Sequence, residues 1–145
     1  PIHVENIAVY YRRAKPVDFR MVADLYGKRV GVLRGWSYGG TFDAASQSGW
    51  IATEEVSSDR SNFLKLMDGR LDAVLAIAES GTANLAARGV SGVEQADVYL
   101  ASYPVHLAFH KKAGQGEVLA CFNKTLAEMK RDGMFDRIVR EQLGR

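Results

Sequence analysis

The middle of the chain alternates short apolar runs with helical patterns, and this rhythm restricts the fold more than any other feature of the sequence. The runs at 29–33 and 71–77 are too continuous for strands that expose one face to water. Between them, the pattern predicts a helix over 41–48 and a strand at 53–56. This alternation predicts an α/β fold in which helices flank a mainly parallel sheet.

Residues that start and stop helices punctuate the same stretch. Ser58 or Asp59 is positioned to cap a helix with one apolar face, and Gly69 is positioned to end it. A third helix is predicted over 79–88, followed by a strand at 98–100.

Towards the two ends of the chain the pattern changes. Partial alternation at 6–11 predicts a strand, and the charged segment after it, which contains Pro16, predicts a linker. A second isolated strand is predicted at 105–109. Apolar residues spaced three and four apart then predict a helix over 119–129, which Gly133 separates from a last helix.

Composition narrows the class of protein. The chain has 145 residues, of which 47% are hydrophobic and 25% charged, so it can bury a core of ordinary size. Its net charge is +2 and its basic residues are scattered, which predicts no nucleic-acid partner. The single Cys121 rules out an intrachain disulfide, and no cysteine pair stands near the histidines, so neither a metal site nor a cofactor is predicted.

Three motifs resemble the bacterial extracellular solute-binding proteins of family 3, the receptors of polar amino acid ABC importers and of related sensor domains. Residues 24–32 (DLYGKRVGV) are similar to the family's D-L-x-G-K-x-V-G-V, and residues 66–74 (LMDGRLDAV) to its L-x-x-G-R-x-D-A-V. Residues 123–138 (NKTLAEMKRDGMFDRI) resemble the family's motif near its C-terminus. The three motifs occur in the family's order and at plausible separations.

The resemblance implies a division of the chain into 1–18, 19–102 and 103–145. The first segment would be a hinge strand and linker, and the second would be lobe 2, the ligand-binding α/β domain. The third would hold the return hinge strand and the C-terminal helices of lobe 1. Most of lobe 1, and a signal peptide in the full-length protein, would precede Pro1. The apolar stripe of the C-terminal helices would then need another cover, such as self-association.

The glycine-rich turn after the first buried strand is the first candidate binding segment. Helix N-termini at the carboxyl ends of strands offer unpaired N–H groups, and in the family the matching loop holds the ligand's carboxylate. The resemblance therefore implies that the Ser37 hydroxyl and the amides of Tyr38 and Gly39 bind the ligand. Gly35 opens this turn, for which a plain strand-to-helix connection is the alternative. Trp36 either stacks on a planar or cationic ligand or belongs to the core or an interface.

The other candidates lie at the next two strand ends. Ile77 stands where amino-acid binders of the family usually carry an aspartate that pairs with the ligand's ammonium group, which argues against an ordinary α-amino acid. Glu79 either replaces that carboxylate or is a solvated partner of the helix dipole. Ser58 and Asp59 either reach the cleft or only cap their helix.

The resemblance implies the substrate-binding component of an ABC transporter, which captures a small polar solute, anionic or amino-acid-like, in the periplasm and presents it to a membrane permease. No catalytic residue is predicted. One alternative is the ligand-sensing input domain of a membrane sensor kinase. A second is an enzyme on the same fold, for which Glu79 would be the acid or base.

Overall fold

The computed structural model describes residues 1–87 and 89–143. These residues form two compact units, one of residues 5–103 and one of residues 1–4 with the segment from 104 onward. The elements, in chain order, are β1 (Val4–Arg12), a 3-10 helix (Val22–Leu25), β2 (Arg29–Leu33), α1 (Gly40–Gln47), β3 (Ala52–Val56), α2 (Asp59–Met67), β4 (Ala73–Ile77), α3 (Ala78–Ala86), β5 (Val93–Gln95), β6 (Ala101–Pro104), a 3-10 helix (Lys111–Ala113), α4 (Gly116–Arg131) and α5 (Met134–Leu143).

One sheet organises the larger unit, with strand order β3-β2-β4-β1-β5 and β6 also paired with β1. β2 runs parallel to β3 and to β4, whereas β1 runs antiparallel to β4 and to β5. The predicted α/β class, with helices flanking a mainly parallel sheet, is confirmed. Because β1 is reversed, with Ile7 opposite Ile77, its first residues lie at the edge where β4 ends.

Both faces of the sheet are covered, which explains the continuous apolar runs. In β1, Ile7 and Val9 lie in a core cluster on one face that includes α1, and Ala8 and Tyr10 lie in a cluster on the other face that includes α2. Each of these four residues is at most 2% exposed. Burying a side chain such as Ile7 or Val9 contributes roughly 1.5–3 kcal/mol, so apolar residues on both faces of β1 stabilise the unit.

The predicted helix boundaries at α2 follow from local chemistry. Ser58 is the N-cap, and its Oγ accepts a hydrogen bond from the backbone N–H of Ser61 at 3.3 Å. Gly69 has φ +75°, a conformation that only glycine adopts without strain, and the chain turns there towards β4. The cap and the turn fix both ends of the helix that covers one face of the sheet.

Two predicted strands are wrong in position. The strand expected at 98–100 is instead β5, where Gln95 pairs with Tyr10 of β1. The strand expected at 105–109 is instead β6, which ends at Pro104. Both are short strands that pair with β1. Their position is determined by hydrogen bonds to β1 and not by their own apolar pattern. The third helix ends at Ala86, and Arg88, its predicted end, lies outside the described residues.

The smaller unit contains α4 and α5, the two C-terminal helices that the apolar spacing predicted. Gly133, with φ +77°, separates them, and the Asp132 side chain accepts a hydrogen bond from the N–H of Met134 at 2.9 Å. Leu119, Phe122 and Leu126 of α4 line a cleft of about 340 Å³ in this unit, together with polar residues such as His106 and Lys130. In the part of the chain that the structure describes, no helix is long and apolar enough to cross a bilayer.

Candidate ligand-binding site

Three strand-to-helix corners of the larger unit form the candidate site, which we call the carboxyl edge. They are the loop between β2 and α1, the turn between β3 and α2, and the junction of β4 with α3. Since the three strands run parallel, their carboxyl ends meet at one edge of the sheet, where the helix N-termini also lie. All nine residues that the sequence singled out belong to these corners.

The Asp43 carboxylate accepts the hydrogen bonds that two donors of the first corner make. The Ser37 hydroxyl donates to Asp43 Oδ2 at 2.5 Å, and the Tyr38 amide donates to Asp43 Oδ1 at 3.0 Å. The Gly39 amide donates in turn to Ser37 Oγ at 3.5 Å. Sequence reasoning missed Asp43, although a carboxylate in the first turn of a helix is a common partner for N-terminal donors. The α1 N-terminus therefore already holds a negative group of its own chain.

Glycines shape the same loop. Gly35 and Gly39 have φ of +77° and +101°, values that strain any other residue. A Cβ atom on Gly39 would also lie 2.7 Å from the hydroxyl oxygen of Tyr103. The backbone of this loop thus depends on glycine at both ends.

The two aromatic residues of the loop differ in exposure. Tyr38 is 3% exposed, and its hydroxyl oxygen accepts a hydrogen bond from the N–H of Leu33 at 2.8 Å. Burial raises the pKa of Tyr38 to about 12, so the phenol stays protonated at neutral pH. Trp36 is 48% exposed, with its ring centroid 6.4 Å from that of Tyr38. Trp36 is thus outside the core, and about half of its surface is accessible to solvent.

Asp59 links the second corner to the third. Its Oδ2 accepts a hydrogen bond from the Ser80 hydroxyl of α3 at 3.1 Å. Its Oδ1 is enclosed and has no hydrogen-bond partner among the described residues. Burial raises the pKa of the Asp59 carboxyl, against the opposing effect of the Ser80 hydrogen bond. Ser58 beside it serves as the cap of α2.

The third corner combines an apolar strand end with an acidic helix start. Ile77 is half-buried and packs against the core face that contains α1. Glu79 lies in the first turn of α3. Tyr10 reaches this corner from β1, where its hydroxyl donates to the carbonyl of Ala78 at 2.8 Å. Burial raises the pKa of Tyr10, and the negative charges of Glu79 and Asp59 raise it further.

A cavity of about 380 Å³ opens beside the first corner. Gly39, Gly40 and Thr41 at the start of α1 form one wall, and Arg20 and Tyr99 are among the residues on the others. This volume suits a small molecule. Within residues 1–87 and 89–143, no three His, Cys, Asp or Glu side chains are grouped so that they could hold a metal ion.

Comparison with known proteins places this geometry among binding proteins. No family model matches the chain, and no curated protein matches it. An ancestral arginine-binding protein bound to arginine superposes with a TM-score of 0.78 and 25% identity over 97% of this chain and 61% of that one. The same kind of protein bound to glutamine gives a TM-score of 0.77 and 26% identity over 100% and 62%. The substrate-binding protein of an amino acid ABC transporter gives 0.66 and 18% over 97% and 60%.

The chain therefore spans about 60% of the length of these solved proteins. Its structural neighbours are amino-acid-binding proteins, and they share with it the sheet and the flanking helices. The resemblance seen in the three sequence motifs is thus confirmed: the chain is similar to a part of a family 3 solute-binding protein.

Proposed function

We propose that this chain is the binding lobe of a non-catalytic receptor that captures a small amino-acid-like solute in the periplasm and presents it to an ABC permease. The observation that carries the proposal is the match to an arginine-binding protein over 97% of the chain, in a fold whose carboxyl edge brings three helix N-termini together. Crevices at this edge are where open α/β sheets bind ligands. The solved neighbours are binding proteins, which supports a receptor over an enzyme.

The first corner argues against a solute that binds through a carboxylate alone. A ligand carboxylate at Ser37 and Tyr38 would compete with Asp43 for the same two donors. Two carboxylates so close would repel each other, so an anion gains little there unless Asp43 moves. In this proposal, residues 19–102 act as lobe 2, and Trp36 stacks on the solute.

An NMR titration tests the proposal on the chain itself. We expect L-arginine or L-glutamine at up to about 20 mM to shift amide signals at 35–40, 57–60 and 77–80, because one lobe retains enough contacts for millimolar affinity. Glucose, a polar solute without an amino or carboxyl group, is the control. If neither amino acid shifts these amides more than glucose does, the chain is not the binding lobe of an amino-acid receptor.

Exposed apolar residues on the helices of the smaller unit support a second, separate proposal about partners. Val118 and Ile138, on α4 and α5, are 51% and 42% exposed. Exposed apolar surface of this kind on paired helices marks a surface that another protein segment covers. We infer that copies of the chain self-associate through these helices at high concentration.

A further inference from the structure

We propose that Asp59 is the counter-charge for an ammonium or guanidinium group of the solute. This assignment rests on the proposed function and deepens it by naming the chemical group that the carboxyl edge recognises. The sequence left the role of Asp59 open between a cap and a cleft residue, and its surroundings in the tertiary structure favour the cleft.

The hydrogen bonding of the Asp59 carboxylate is incomplete among the described residues. A carboxylate oxygen accepts about two hydrogen bonds, and enclosing one without a partner costs roughly 1–3 kcal/mol or more. Asp59 Oδ2 has one donor, the Ser80 hydroxyl, and Oδ1 has none among the described residues. The cap of α2 is already supplied by Ser58, so capping does not account for the Asp59 side chain.

Among the described residues, Asp59 has no cationic partner. The ion pairs of the described residues involve other acids, for example Lys65 with Glu54 and Lys15 with Asp72. No lysine or arginine of the described part of the chain forms an ion pair with Asp59, so its ionised form is favoured only by the Ser80 hydrogen bond and by the partial positive charge at the α2 N-terminus. A half-buried carboxylate without a counter-charge gains most from an external cation.

The position of Asp59 also suits contact with a cation. The contact between Asp59 and Ser80 joins the α2 corner to the α3 corner, where Ile77 ends β4 without a charge. A cation bound at this junction would form an ion pair with the Asp59 carboxylate. Oδ1 is enclosed in the unliganded chain, so a cation would reach it only after the carboxylate turns about its last side-chain bond, a torsion with a broad range.

The first corner makes the same edge unfavourable for an anion. Asp43 holds the hydroxyl of Ser37 and the amide of Tyr38, so these donors are not free for a ligand carboxylate. Asp43 at the first corner already accepts hydrogen bonds from its own loop, and Asp59 at the second has an oxygen without a partner among the described residues. In this proposal, the two carboxylates together favour a positively charged ligand.

The test compares three probes by NMR titration of the chain: L-arginine, agmatine and glutarate. Agmatine keeps two cationic groups and lacks the carboxylate, whereas glutarate has two carboxylates and no cation. We expect arginine and agmatine to shift the amides of 57–60 and 78–80 and glutarate to leave them unchanged. Asp59→Asn should raise the Kd for both cations about ten- to hundredfold, the value of a hydrogen bond to a charged group. Asp59→Glu, which restores the charge, should recover part of the affinity.

Asp68→Asn is the matched control, since Asp68 is an exposed carboxylate at the other end of the same helix, and it should leave binding unchanged. The assignment is overturned if glutarate binds as tightly as agmatine, or if Asp59→Asn, with its amide spectrum otherwise intact, binds the cations as the wild type does. In both cases the proposed function survives, because a ligand still binds the edge. If no probe shifts any of these amides, the proposed function fails as well.

Discussion

Replacing Asp43 by alanine tests whether the first corner is held by the chain's own carboxylate. The substitution removes the acceptor of the Ser37 hydroxyl at 2.5 Å and of the Tyr38 amide at 3.0 Å. Ser37 is exposed, so water replaces much of its lost bond, worth about 1 kcal/mol, while the part-buried Tyr38 amide loses about 1–2 kcal/mol. We therefore expect Asp43→Ala to lower the free energy of unfolding by about 2–3 kcal/mol.

Two companion variants separate the causes. Asp43→Asn keeps an acceptor for the Tyr38 amide and a donor for Ser37 Oγ, so it should cost only the charge at the helix N-terminus, about 0.3–1 kcal/mol. Gln47→Ala alters an exposed residue at the end of the same helix and should stay within about 0.5 kcal/mol of the wild type. A double-mutant cycle of Ser37→Ala with Asp43→Ala should show a coupling of about 1 kcal/mol.

Urea unfolding at 25 °C, followed by circular dichroism, measures these differences, and hydrogen exchange of the Tyr38 amide reports the local bond. The amide should exchange faster in Asp43→Ala than in Gln47→Ala. A loss below about 0.5 kcal/mol in Asp43→Ala, with unchanged exchange at Tyr38, would refute the reasoning. The donors of the loop would then be free, and Ser37 would regain the ligand-binding role that the family resemblance implied.

Two further predictions concern acid stability and self-association. Burial opposes the ionisation of Asp72, yet hydrogen bonds from Lys15 and Arg29 hold its pKa well below its usual range. This stabilisation is present above the unfolded pKa of about 4 and is lost as the pH falls through the folded pKa. As the pH is lowered below about 4, the urea midpoint should therefore decrease less in Asp72→Asn than in the wild type. An equal drop would contradict this. Light scattering at rising concentration should show a mass above the monomer that Val118→Lys reduces to the monomer; a monomeric wild type would exclude self-association.

The fold between β2 and α3 could be predicted because several local signals coincide there. Ser58 marks the start of α2, Gly69 marks the turn after it, and a continuous apolar run marks β4. The observed boundaries of these elements lie within one or two residues of the predicted ones. At β5 and β6 the prediction failed because nothing in their own sequence marks them. Their location depends on hydrogen bonds to β1, which is distant in the chain.

The candidate site shows the same division. Sequence motifs identified the three corners, since each follows a recognisable strand and opens a recognisable helix. They did not reveal Asp43 as the occupant of the first corner, or Tyr10 as a member of the third. Tyr10 lies on β1 and is 68 residues before Ala78, the residue to which its hydroxyl donates.

The sequence by itself determined the class of fold, the helices and buried strands of the middle segment, and the family that the chain resembles, because periodicity, caps and motifs are local properties. Only the tertiary structure decided which polar groups at the carboxyl edge are already paired and which are not. Pairing depends on side chains from separate elements that the sheet brings together, as in the contact of Asp59 with Ser80. For that reason the charge preference that we propose for the edge is argued from the structure and not from the motifs.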